Sequence, residues 1–257
     1  MTPYKNWISY STLVRKEVIR FLRVWSQTLL PPVVTMTLYF VIFGKFIGSQ
    51  VGDIAGYSYM QFIVPGLVMM AVIMQSFMNT VSSYYFAKFQ KSIEEIIVSP
   101  TPFPIVIAGY VTGGVLRGLL TATLVMSTAL FFTKLHIAHI GITVLFAVLT
   151  SVLFSLVGLI NGVYAKSFDG ISIIPNFVLT PLTYLGGVFY SVSMLPPFWQ
   201  AVSSFNPILY MIAGFRYGLL GVSDVSIPFA AGLLIGLTVM LFCFVWWLFK
   251  TGRGLRA

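Results

Sequence analysis

The sequence predicts an all-α polytopic membrane protein with six transmembrane helices, and three features predict it. Hydrophobic residues make up 58% of the 257-residue chain and charged residues 8%, with a mean hydropathy of +0.95; an ordinary soluble domain carries about 25% charged residues. Six runs approach the roughly 20 apolar residues that cross a bilayer core as a helix. From Gly170 to Phe215, forty-six residues pass without a Lys, Arg, Asp or Glu, yet Pro175, Pro181, Pro196, Pro197 and Pro207 interrupt them. Proline removes a backbone donor and breaks continuous helix. That stretch therefore reads as one span followed by short helices that dip into the bilayer without crossing it. Irregular backbone at that depth persists only inside protein or beside a watery cavity.

Residues 1–26 form the first element. Trp7, Tyr10, Val14, Val18, Phe21 and Trp25 recur every three or four positions, with Lys5, Lys16, Arg20 and Arg23 on other faces. This is an amphipathic interfacial helix suited to the headgroup layer. It lacks the apolar core and cleavage site of a secretory signal. Residues 27–257 then form one membrane domain, which Pro31-Pro32 opens at a sharp angle. Its six spans are expected at Gln27–Ile47, Tyr59–Val81, Ile105–Phe132, Ile140–Tyr164, Ile171–Phe189 and Ile227–Phe249.

Between spans two and three, Phe86, Phe89, Ile93 and Ile96 make a narrow apolar stripe among Lys88, Gln90, Lys91, Ser92, Glu94 and Glu95. The stripe ends at Ser99-Pro100-Thr101-Pro102, so a short helix is expected over Phe86–Val98. Its face suits a soluble partner or lipid. The turn Ala165–Gly170, with Lys166 and Asp169, offers a second, smaller contact.

Charge sets the orientation. With both termini on one side, that side holds Lys5, Arg15, Lys16, Arg20, Arg23, Lys88, Lys91, Lys166, Lys250, Arg253 and Arg256, eleven in all. The other side holds Lys45, Lys134 and Arg216, and Arg117 lies within span three. Basic residues accumulate on the cytoplasmic side, so both termini are expected there. The net charge of +9 is accounted for by this sorting and needs no nucleic acid partner.

All six acids, Glu17, Asp53, Glu94, Glu95, Asp169 and Asp224, fall outside the spans. An ion-coupled carrier commonly needs an ionisable group at membrane depth, so energy for uphill transport is expected from elsewhere. No GxxxxGK[ST] phosphate loop occurs. No catalytic constellation is visible, so the chain is not expected to be an enzyme or to bind a metal or cofactor itself. His136 and His139 read as ordinary loop histidines, and the lone Cys243 excludes an internal disulfide.

Leu179, Leu182, Leu185, Gly186 and Val188, then Leu195-Pro196, then Pro207-Ile208 with Tyr210, and finally Arg216 resemble the signature of the ABC-2 type permeases, the membrane subunits of ATP-driven exporters. The resemblance extends to the basic start, the stretch SYMQFIVPG, the connector AKFQKSIEEIIVSP and the tail GRGLR. It implies a homodimer in a bacterial inner membrane, bound to two copies of a cytoplasmic ABC ATPase that holds ATP-Mg. It makes Phe86–Val98 the coupling helix, with Phe89, Lys91, Glu94, Glu95, Lys166 and Asp169 facing the ATPase. Residues 191–220 become the re-entrant helices, and the substrate path runs between the second and fifth spans.

On that path Met70, Met74, Phe77 and Met78 offer adaptable surface, while Thr180, Thr183, Tyr184 and Phe189 offer hydroxyls and rings. Core packing accounts for the same residues equally simply. Arg117 is the remaining candidate, without an acid in span two to meet it. Pro65-Gly66 and Gly186-Gly187 are expected bending points. An apolar path favours lipid-like or hydrophobic drug-like cargo. A secondary carrier or channel, and a scaffold that moves nothing, are the competing readings.

Overall fold

The computed structural model describes residues 2–135 and 137–252. His136, Arg253 and Arg256, the tail GRGLR beyond Gly252, and the side chain of Lys45 lie outside the described residues. Among those described, the secondary structure is helical apart from one isolated bridge, Ile54 to Tyr57.

Helix α1 (Pro3–Arg23) ends at Val24, where φ −116° and ψ 39° break the helical path. The chain then runs through α2 (Trp25–Thr28), α3 (Leu30–Tyr39), a π-helical stretch at Phe40–Ile47 and α4 (Gly48–Val51). Pro31 and Pro32 lie at the start of α3, where a missing N–H goes unfelt. Helix α5 (Tyr59–Phe89) begins with a reciprocal cap: Gln61 N donates to Ser58 Oγ, and Ser58 N to Gln61 Oε1.

Helices α6 (Ser92–Val98), α7 (Phe103–Ala129) and α8 (Ile140–Tyr164) follow. The chain continues through α9 (Phe168–Ile174), a π-helical turn at Pro175–Leu179 and α10 (Thr180–Leu185). After a 3₁₀ turn at Val192–Met194 come α11 (Pro197–Ser204), α12 (Pro207–Leu220) and α13 (Ile227–Thr251).

Five helical segments are long and apolar enough to cross a membrane: Trp25–Gly44, Tyr59–Phe89, Phe103–Ala129, Ile140–Tyr164 and Ile227–Thr251. The expected fifth of six spans differs. It runs helically from Phe168 to Leu185, but Pro175 and Pro181 divide it and a π turn relaxes it. Gly187, at φ 78°, then takes the left-handed turn that ends the helix. Gly186-Gly187 is thus a terminus rather than a bend within a span.

Helix α5 is the central post, with 78% of its most apolar window buried against 17% for α13. It packs on α7 and α8 through small residues. A Cβ on Gly158 would stand 2.6 Å from the Phe77 carbonyl oxygen, and one on Gly118 2.1 Å from Ser76 Oγ. Small side chains let helix backbones approach where lipid gives no hydrophobic drive.

Candidate functional site

Three polar constellations and two aromatic groups stand out against this apolar bundle. At the end carrying α6, the stripe expected as one helix over Phe86–Val98 is divided. Helix α5 stops at Phe89, Gln90 turns, and Lys91 adopts a left-handed φ of 59° before α6 starts. The two halves face different ways in consequence. Ile93 is buried and Ile96 packs with it beside Val106, Ile107, Tyr110 and Phe249. Phe86 and Phe89 stay exposed and meet Phe168, the first residue of α9, at 5.4 Å each, with Tyr85 at 5.0 Å.

Phe168 therefore joins the connector to the Ala165–Gly170 turn. Lys88 Nζ reinforces the joint by donating to the Val163 carbonyl at 2.8 Å, at the end of α8. Glu94 and Glu95 are exposed in the first turn of α6, where acids complement the helix dipole. Lys91, Lys166 and Asp169 are exposed at the same end.

The amphipathic start does more than lie on a surface. Glu17 is buried, accepting from Ser83 Oγ at 2.5 Å, Asn79 Nδ2 at 3.5 Å and Arg20 at 3.0 Å. Arg20 also donates to the Asn79 carbonyl and Oδ1, both at 2.9 Å. Tyr10 shares a 2.9 Å hydrogen bond with Thr112 of α7. By sequence position, no acid falls within the five membrane-length helices. Folding nevertheless brings Glu17 against the α6-side halves of α5 and α7, because a paired, hydrogen-bonded carboxylate tolerates burial.

Arg117 is buried within α7. Its guanidinium donates to Gln75 Oε1 at 2.5 Å and to the Thr28 carbonyl at 3.2 Å. A span-two amide takes the place of the acid that the sequence lacked.

At the opposite end, Arg216 on α12 was counted with the solvated loop charges, and the structure buries it at 2% exposure. It donates to the Gly187 carbonyl at 2.6 Å, lies 3.9 Å from the Phe62 ring centre, and approaches Asp224 at 3.8 Å. Asp224 in turn accepts from Ser191 at 2.7 Å. These groups wall a cavity of about 440 Å³ that also reaches Asp53. The final Arg of the sequence pattern thus clamps the end of α10 to the top of α5. Tyr57 donates to the Leu220 carbonyl at 2.5 Å and fastens the α4–α5 loop beside it.

The remaining residues expected along a substrate path divide by environment. Met70 and Phe77 are buried inside the chain, and Met74 and Met78 pack partly exposed against the core. Thr180 donates to the Pro175 carbonyl and Thr183 to that of Leu179, so both hydroxyls serve the proline-broken helix. Tyr184, exposed at 40%, and Phe189 form an aromatic group with Phe43 and Tyr39 of the first span. Nothing in the sequence pattern linked Phe43 or Tyr39 to that group. His139 stacks on Tyr217 at 5.2 Å.

A central helix, four further apolar spans and buried polar pins at both ends define a polytopic membrane protein. The family model of the ABC-2 type transporters matches residues 9–220, and the chain belongs to that family. It is 55% identical over 251 residues to the inner membrane transport permease YadH of Escherichia coli strain K12, covering 98% of each chain. The likeness carried by SYMQFIVPG and the AKFQKSIEEIIVSP connector thus extends across nearly the whole sequence. Nodulation protein J of Rhizobium leguminosarum bv. viciae is 20% identical over 230 residues, 89% of this chain and 88% of that one. The namesake from Rhizobium meliloti strain 1021 is 23% identical over 244 residues, 92% and 90% of the two chains. The protein is a multi-pass inner-membrane transport permease subunit.

Proposed function

We propose that two copies of this chain form the pathway of an ATP-driven exporter, energised by two copies of a separate cytoplasmic ABC ATPase that binds ATP-Mg. The observation that carries this is the Phe168 nest, which makes the α5–α6 connector and the Ala165–Gly170 turn one continuous surface. A partner pressing there, on Phe89, Lys91, Glu94, Glu95, Lys166 and Asp169, moves the ends of α5, α8 and α9 together. ATP closes the partner pair, and rigid-body motion passes into the spans. Nucleotide shifts the outward-facing population only as far as its affinity for the two states differs.

In this reading α9 and α10 make a sixth, proline-broken span, α11 and α12 are re-entrant, and both termini are cytoplasmic. The path lies between the second and fifth spans. It is lined by Met74, Met78, Tyr184 and Phe189, backed by Met70, Phe77, Thr180 and Thr183, with Arg117 nearer its inner end. Its methionines and rings favour lipid-like or hydrophobic drug-like cargo.

The test is reconstitution. The chain with its co-purified ATPase exports cargo on ATP, and the chain alone is inert. Glu94→Lys with Glu95→Lys strips the ATPase from the complex. Sustained uphill transport by the lone chain would make it a secondary carrier, and a stable complex that moves nothing would make it a scaffold. A cysteine at Tyr184, in a Cys243→Ser background, reacts with a water-soluble maleimide during turnover if the path is assigned correctly.

A further inference from the structure

A cleft of about 630 Å³ opens between α1 and the α6-side end of α5. Lys16, Arg20 and Arg23 line one side, and Ser92 and Phe86 line the other. No acid lines it. The nearest one, Glu17, is buried and already held by Arg20, Ser83 and Asn79. Among the described residues the ion pairs are Arg20–Glu17 and Arg216–Asp224, so Lys16 and Arg23 face the cleft without a carboxylate. Glu94 and Glu95, on the helix that Ser92 starts, are exposed and do not line it. The cleft thus holds uncompensated positive charge beside an apolar wall, a combination complementary to a phosphate that carries hydrocarbon.

Its level in the bilayer points the same way. Val24 forms part of its rim, and the next residue, Trp25, opens the first apolar span. Trp25 is 59% exposed, and tryptophan is enriched at headgroup level. Beyond it Leu30, Val34, Leu38 and Ile42 are exposed at every fourth position, as on a helix face that meets acyl chains. A phosphate in the cleft would sit among headgroups, its chains beside the first span.

We propose that this cleft binds the phosphate headgroup of an anionic phospholipid from the leaflet on the α6 side. Basic pockets between helices on that face of a membrane are suited to such headgroups. The bound lipid bridges α1 to the end of α5, one turn from the proposed ATPase surface. The inference stands independently of that surface, and its test needs no ATPase.

The whole chain is placed in nanodiscs of phosphatidylcholine, with or without phosphatidylglycerol. Thermal unfolding and the number of phosphatidylglycerol molecules retained in native mass spectrometry are then read. Phosphatidylglycerol raises the melting temperature and remains bound. Lys16→Gln with Arg23→Gln weakens its binding by roughly fivefold per charge, the factor that about 1 kcal/mol per basic residue gives. Lys5→Gln with Arg15→Gln, exposed basic residues of α1 outside the cleft, leaves binding unchanged.

Equal loss in both double variants would assign the lipid to the diffuse charge of α1 and overturn the cleft. No loss in the first would do the same. Inorganic phosphate added to phosphatidylcholine nanodiscs is expected to stabilise nothing; stabilisation equal to that by phosphatidylglycerol would overturn the lipid assignment in favour of a soluble anion. If the Lys16/Arg23 variant fails to fold, Ser92→Asp decides. It puts an acid, favoured in the first turn of a helix, into the cleft wall and must also lower retention.

Discussion

Arg117 on α7 and Gln75 on α5 are joined by a 2.5 Å hydrogen bond inside the bundle. The Thr28 carbonyl takes a second guanidinium bond, while Nε has no partner among the described residues. A charge held by one amide and one carbonyl is sensitive to the loss of either.

Gln75→Leu is accordingly expected to destabilise by about 1.5–3 kcal/mol, the worth of a hydrogen bond to a charged group. Arg117→Met removes charge and need together, and should cost less than Gln75→Leu, because a buried ion replaced by an apolar side chain of similar size is often tolerated. Thermal unfolding in one detergent ranks the two. The reverse order would mean that Gln75 is not the partner that matters. If Arg117 also meets an anionic cargo, Arg117→Gln folds normally and exports that cargo more slowly.

Helix packing makes a contrasting pair of glycine predictions. Gly158→Ala places a methyl 2.6 Å from the Phe77 carbonyl, and Gly66→Ala places one 2.7 Å from the Val188 backbone. Each should cost about 1–3 kcal/mol, the usual range for overpacking. Gly236→Ala on α13 meets nothing within 4 Å and should stabilise by about 0.5–1 kcal/mol through helix propensity. Melting temperatures that move alike for all three would contradict this close helix packing.

Arg216→Lys tests the clamp at the far end. Lysine has no flat guanidinium to lie on Phe62, nor the fork that reaches Gly187. A loss of about 2–4 kcal/mol is expected, as for breaking other buried charge contacts. Asp224→Asn should cost under about 1 kcal/mol, because its contact is 3.8 Å long and the acid is partly exposed. Denaturation of the two variants side by side measures the difference.

Phe168→Ala removes the ring shared by Phe86, Phe89 and Tyr85. Phe168 is itself 44% exposed, so stability should fall modestly, while ATPase co-purification and cargo-stimulated hydrolysis drop several-fold. Loss of stability without loss of either would confine the nest to folding.

Much of this was readable from the chain because spacing and charge act locally. The prolines that open α3, α11 and α12 and the apolar lengths act within a few residues, and they set the elements. What escaped depended on distant pairings. Nothing near Glu17 in sequence announces Asn79 and Ser83, and Gln75 looks like any polar residue in a span until Arg117 is seen opposite. The apolar stripe from Phe86 to Ile96 has helical spacing, which conceals the left-handed Lys91 that turns its two halves apart. Arg216 read as a loop charge because sequence position cannot reveal the Phe62 face and Gly187 carbonyl that accept it.

The narrow glycine and serine seam binding α5, α7 and α8 has one mechanical consequence. Three columns packed this closely through glycines and small side chains have little slack for shear, so they travel as a single wedge. Displacement during a transport cycle must be absorbed at the joints around it: Val24, the Gln90-Lys91 corner and the Gly187 turn. Spin labels on Ser82 and Thr112 should keep their separation through a nucleotide cycle, while a label on Phe198 moves relative to both.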